Sequence, residues 1–189
     1  MGRFLGSLSS DSDGYTIGEM RVAHYNIPAA SVVAADTDGL LDGTAFPAAA
    51  GTVSTFLNDM PYAMNVTAVA SGTQTGDITV HGTNMAGEKI SETLTMVSTT
   101  PVVGNVAFAT VTSVDLPIKV GSETIDLGWG GKFGLPYMLA ADELVFLKLF
   151  DAAADAGTVV VDADELEKNT FDPAGTPDGE KAIDLYIII

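Results

Sequence analysis

A chain of 189 residues, 47% of them apolar, can fill one compact core, so global disorder is excluded despite a formal net charge of −17 from 8 basic and 25 acidic side chains. That balance excludes nucleic-acid binding by phosphate neutralisation, which needs a basic face. With no cysteine and only His24 and His81 as histidines, disulfides, thiolate metal sites, cysteine nucleophiles and a multi-histidine metal centre within one chain are excluded as well.

Residues 1–25 read as an extended N-terminal arm, rich in Gly, Ser and Asp and without sustained periodicity. The opening stretch Met1-Gly-Arg-Phe-Leu-Gly-Ser-Leu-Ser-Ser10 holds no apolar run of signal-peptide length. The uncharged stretch from Thr93 to Val114 is long enough to cross a bilayer. Its many Thr and Ser residues, with Pro101, Gly104 and Asn105, predict two strands and a turn instead. No membrane partner is expected, and the chain is read as a soluble product of the cytoplasm.

Residues 26–189 read as one β-rich domain, with the strongest strand pattern at 62–139 and an acidic part at 140–189. Ile27, Val32 and Val33 suggest a short strand; Asp36-Thr-Asp-Gly39 and Leu41-Asp-Gly43 are turn signals. Met64-Asn-Val-Thr-Ala-Val-Ala70 and Asp77-Ile-Thr-Val-His81 alternate, the latter with Ile78 and Val80 inward and His81 outward. Asn84-Met-Ala-Gly-Glu88 reads as a hairpin connection, with Gly87 free to take positive φ, leading to Ile90-Ser-Glu-Thr-Leu-Thr-Met96. Further strands are predicted at 106–114, continuing as an edge through Pro117, and at 124–129, with Ile125, Leu127 and Trp129 on one face. Others are predicted at 143–150, 157–161 and 182–189. The terminal Ile187-Ile-Ile189 would be an aggregation hazard as a free edge, so its strand is expected inside a sheet. One short helix is expected at Asp162–Lys168. The sum is an all-β fold, an antiparallel β-sandwich or jelly-roll-like barrel with little helix.

Motifs for chemistry fail on spacing. Asp36-Thr-Asp38-Gly39 and Ser9-Ser-Asp11-Ser-Asp13-Gly14 begin like calcium loops, but Leu40 in the first and Met20, at the twelfth position of the second, stand where ligands are required. Gly128-Trp-Gly-Gly-Lys132 has Asp126 in place of the first P-loop glycine and Phe133 in place of Ser or Thr; it reads as a tight turn that lets Trp129 lie against backbone. No Gly-x-Ser-x-Gly elbow is present, and the carboxylate pairs read as solvated acidic faces. Asn65-Val-Thr67 matches a glycosylation sequon and is read as chance.

Three stretches carry a resemblance when taken together. They are Asn65-Val-Thr-Ala-Val-Ala-Ser-Gly72 with Asp77-Ile-Thr-Val-His-Gly-Thr-Asn-Met-Ala-Gly-Glu-Lys-Ile-Ser-Glu-Thr-Leu-Thr95, then Phe108-Ala-Thr-Val-Thr-Ser-Val114, then Gly128-Trp-Gly-Gly-Lys-Phe-Gly-Leu-Pro-Tyr137, followed at the end by Asp184-Leu-Tyr-Ile187. In this order they resemble small virion structural proteins of tailed bacteriophages and prophages, of the kind that decorates the capsid. The resemblance spans roughly residues 60–140 and the C-terminal strand. It implies a non-enzymatic protein without cofactor or metal. It further implies a homotrimer seated on the major capsid protein, at the capsid surface of a particle assembled in a bacterial cytoplasm. A tail or baseplate component is the alternative, because similar β-domains occur there. A carbohydrate-binding module is the third reading, resting on Trp129, Tyr137 and the carboxylates. The candidate subunit or capsid interface residues are Arg3, Phe4, Tyr15, His24, Tyr25, Trp129 and Tyr137.

Overall fold

The computed structural model describes residues 21–189. In chain order the strands are β1 (Val22–Ile27), β2 (Asp36–Ala45), β3 (Gly51–Val53), β4 (Met64–Ala70), β5 (Thr75–Thr83), β6 (Lys89–Val97) and β7 (Val102–Phe108). They continue with β8 (Thr110–Leu116), β9 (Thr124–Gly134), β10 (Val145–Phe150), β11 (Ala153–Ala154), β12 (Thr158–Val160), β13 (Thr170–Asp172) and β14 (Ile183–Ile188). Every ladder among them is antiparallel. The expected all-β class is therefore what the chain adopts; among the described residues the helical turns are single 3-10 turns at Ala29–Ser31, Asp142–Leu144 and Leu166–Lys168.

The strands form three sheets. A terminal sheet has the order β1-β14-β10-β11, a central sheet has β12-β13-β9-β4-β7 with β2 also on β9, and a third sheet has β3-β8-β5-β6. One apolar core draws on all three: Ile183, Leu185 and Ile187 from the terminal sheet, Val66, Leu127 and Phe133 from the central one, Ile78, Val80 and Val114 from the third. Each is fully buried, and full burial of such a side chain contributes roughly 1.5–3 kcal/mol. The period-two pattern is what lets each strand give one apolar row to this core.

The β5–β6 hairpin forms as its sequence demands, in register from Thr75↔Val97 to Thr83↔Lys89, with Gly87 at φ 79° in the connection. The C-terminal strand lies between β1 and β10, so its apolar residues are paired on both edges as expected.

Other expectations are corrected. The arm ends sooner than residue 25, because Val22–Ile27 pairs along Ile188–Ile183; the backbone groups of Arg21 and Ile189 extend that ladder by one step. Ile27 closes β1, and Val32 follows a 3-10 turn instead of joining a strand with it. The Asp and Gly residues of 36–43 do not punctuate turns. They lie inside β2, whose pairing with β9 slips twice, so the irregularity is absorbed as bulges. β8 stops at Leu116, before the predicted Pro117 continuation. Of the helix predicted at 162–168 only the turn at Leu166–Lys168 forms.

The largest correction concerns 128–134. This glycine-rich run is no turn; it is the second half of β9, the longest strand described. β9 is flanked by β4 on one edge and by β2 and then β13 on the other. Crowding explains the glycine: a Cβ on Gly128 would lie 1.9 Å from the Asp36 carbonyl oxygen. Any side chain at this position would push β2 away from β9.

In place of helices, buried side-chain amides fasten the long connections. Asn169 accepts from the Leu139 and Asp162 N–H groups and donates to the Asp162 and Glu165 carbonyls. Asn65 donates to the Gly104 carbonyl and accepts from the Lys132 N–H. Gln74 donates to the Ile118 carbonyl and accepts from the Val120 N–H. Buried polar groups satisfied in this way hold a loop in one conformation.

Candidate functional site

The terminal sheet has two faces of different character. Along β14, Ile183, Leu185 and Ile187 point into the core, so Asp184, Tyr186 and Ile188 point away from it. Register carries the division across β1, where Ala23, Tyr25 and Ile27 face inward and Val22, His24 and Asn26 outward. On β10 the pairing with β14 slips between Val145 and Leu147. This bulge leaves two consecutive apolar residues exposed, Phe146 at 52% and Leu147 at 37%.

The outward side chains touch one another. The His24 ring stacks on Tyr186 with centroids 4.7 Å apart and planes 16° from parallel. Phe146 tilts against the other side of Tyr186 at 6.3 Å and 56°. Both separations lie in the range of favourable ring pairs. His24 Nε2–H donates to Asp184 Oδ1 at 2.7 Å, and Asn26 Nδ2 donates to the same oxygen at 2.9 Å. The one carboxylate among these outward residues thus already has two partners. Val22, 60% exposed, and its partner Ile188 extend the apolar strip at the end where β1 and β10 begin. The result is a flat, largely uncharged, aromatic-centred face on a rigid three-strand support.

A second surface of interest is polar. On the third sheet, His81 Nε2–H donates to Asp115 Oδ2 at 2.9 Å and Thr52 Oγ1–H donates to Asp115 Oδ1 at 2.6 Å. These bonds, the Thr52 hydroxyl first, hold Asp115 below the usual carboxylate range. Thr79 pairs with Thr93 and Thr83 with Thr110 through their hydroxyls. Ser91 and Ser113 are the cross-strand partners of His81 on β6 and β8. A groove of about 530 Å³ runs past Asn84, Glu88, Met138 and Glu167, where the Asn84 amide bridges the Glu88 and Glu167 carboxylates. Among the described residues no group of three or more His, Asp or Glu side chains is placed to hold a metal ion.

The sequence-predicted interface residues separate in space. Arg3, Phe4 and Tyr15 lie outside the described residues. His24 stands on the exposed face of the terminal sheet. Tyr25, its neighbour in sequence, points the other way and shares a hydroxyl–hydroxyl hydrogen bond with Tyr62; burial raises the pKa of both. Tyr137 is half-buried and packs on the core. Trp129 is a correction: it is 8% exposed, donates from Nε1 to the Ala34 carbonyl at 3.1 Å, and covers Gly39 so closely that a Cβ there would lie 2.5 Å from the ring. A tryptophan held in this way offers no free face for a partner or a sugar. Asn65 of the sequon is fully buried, which fits its reading as chance.

Phe146, Leu147 and Tyr186 were missed. Their signal is the unbroken apolar runs Val145-Phe146-Leu147 and Leu185-Tyr186-Ile187-Ile188-Ile189. In a strand with one buried face, an unbroken run must leave some apolar side chains outside.

The chain was compared with protein-family models, with curated proteins and with solved structures, and none of the three comparisons gives a match.

Proposed function

We propose that this protein is a non-enzymatic structural subunit of a tailed-phage virion that decorates and stabilises the outer surface of the capsid. In this reading it works as a homotrimer seated on the major capsid protein. The observation that carries the reading is the exposed Val22–His24–Tyr186–Phe146–Leu147 face of the terminal sheet. Aromatic side chains on a rigid support lose little entropy when a partner covers them, and such residues anchor protein interfaces. The resemblance of residues 60–140 to virion proteins supplies the kind of partner. The net charge of −17 keeps the subunit clear of packaged DNA and soluble before assembly.

Electron microscopy of the parent particle tests the proposal. Density for this chain is expected on the outer capsid lattice. Density confined to a ring or tube of the tail, or no density on the particle, overturns it.

A further inference from the structure

We propose that the exposed face of the terminal sheet is the receptor for the chain's own N-terminal segment, residues 3–8, delivered by a neighbouring copy. The inference rests on the reading of this protein as an assembly subunit and names the occupant of the face described above.

Area decides against a second folded domain on this face alone. Three strands at about 4.8 Å spacing, each about 20 Å long, present roughly 300 Å², whereas stable association of folded partners takes about 800 Å² on each side. An extended segment of six residues is also about 20 Å long, so a peptide of that length matches the face from end to end.

Position and charge then identify the peptide. Residues 1–20 precede Arg21, whose backbone pairs with that of Ile189 at the corner of this face. Between them they hold Phe4, Leu5 and Leu8, and Arg3 is their one basic residue; residues 1–10 contain no acid. The face has matching features. Its apolar strip is Val22, Phe146, Leu147 and Ile188, and the exposed Asp142 and Glu143 precede β10 at the end where β1 also begins. A basic residue followed by Phe and Leu complements an acidic corner followed by an apolar strip. Residues 9–20 span about 40 Å when extended, enough to reach an adjacent subunit. An exchanged segment joins copies without needing a broad interface.

The test uses the full chain. One preparation carries Phe4→benzoylphenylalanine, a photoreactive side chain, and is mixed with a ¹⁵N-labelled preparation of the unaltered chain before illumination. Mass spectrometry is expected to find position 4 joined to Phe146, Leu147 or Tyr186 of the ¹⁵N copy. Phe146→Asp in the labelled copy, at a position half exposed to solvent, is expected to lower that yield at least fivefold. Crosslinks confined to the photoreactive copy itself, crosslinks to other surfaces, no crosslinks, or an unchanged yield with Phe146→Asp each overturn the proposal. The two proposals fail separately. Crosslinks at this face with no density on the capsid would remove only the virion location, and capsid density without the crosslinks would remove only the exchanged segment.

Discussion

Glu92 shows how one side chain can join two sheets. Period-two alternation through Ile90, Glu92, Leu94 and Met96 puts its carboxylate on the inward side of β6. It reaches β7 and accepts hydrogen bonds from the Asn105 N–H at 2.7 Å and the Val106 N–H at 3.4 Å. These two groups sit where the β4–β7 pairing is irregular and offers them no regular partner. Burial is the largest influence on the carboxyl and raises its pKa, against the lowering effect of those N–H groups and of Lys132 and Lys168. A carboxyl whose folded pKa lies above its unfolded value contributes stability below the unfolded value, near pH 4.5, and loses it as pH rises through the folded value. Glu92→Gln keeps an acceptor and does not titrate. Its stability relative to the parent is therefore expected to improve as pH rises from 4 to 7 in urea melts, and a pH-independent difference would contradict this. Glu92→Ala removes the acceptor of the Asn105 N–H, a bond open to solvent, and is expected to cost about 0.5–1.5 kcal/mol, more at pH 4 than at pH 7. The sequence held the clue, a carboxylate in phase with an apolar row, but not the partner, which comes from a different sheet.

At the scale of elements, strands with one exposed face were legible and crowded strands were not. β5 and β6 alternate cleanly and close on a Gly87 turn, so composition and pattern agree on them. β4 is buried almost throughout, and β9 carries neighbours on both edges. There the backbone itself is the packing surface, and small residues are required for reasons that local sequence reads as turn chemistry. The same holds for β2, where Asp and Gly accommodate bulges. Gly128→Ala tests this account. The added methyl meets the Asp36 carbonyl of the paired strand, so β2 has to be displaced from β9, and a loss of roughly 3 kcal/mol or more is expected. Gly51→Ala is the control: its nearest neighbour would be an ordinary 3.6 Å contact, and its effect should stay within about 1 kcal/mol. Equal effects of the two substitutions in thermal or urea unfolding would mean that β9 is not constrained as described. The candidate face was half legible for a related reason. The sequence points to His24, which is on the face, but Trp129, an aromatic beside glycines, is buried because those glycines admit strands and not solvent.

For the whole molecule, charge and apolar surface act in opposite directions on assembly. A formal charge of −17 on each copy gives a repulsion that extends about 30 Å at 0.01 M salt and only about 8 Å at 0.15 M. The proposed contact contributes one attractive ion pair, between Arg3 and the Asp142–Glu143 corner. An exposed pair of that kind is worth at most about 1 kcal/mol. The rest of the contact is apolar, and its strength is not reduced by screening. Repulsion among all the acidic side chains therefore outweighs the single attraction, and added salt removes more of the former than of the latter. Sedimentation equilibrium between 0.02 and 0.3 M sodium chloride is expected to show self-association strengthening with salt. The opposite trend, association that weakens as salt rises, would mean that ion pairs hold the copies together and that the apolar face of the terminal sheet is not the principal contact.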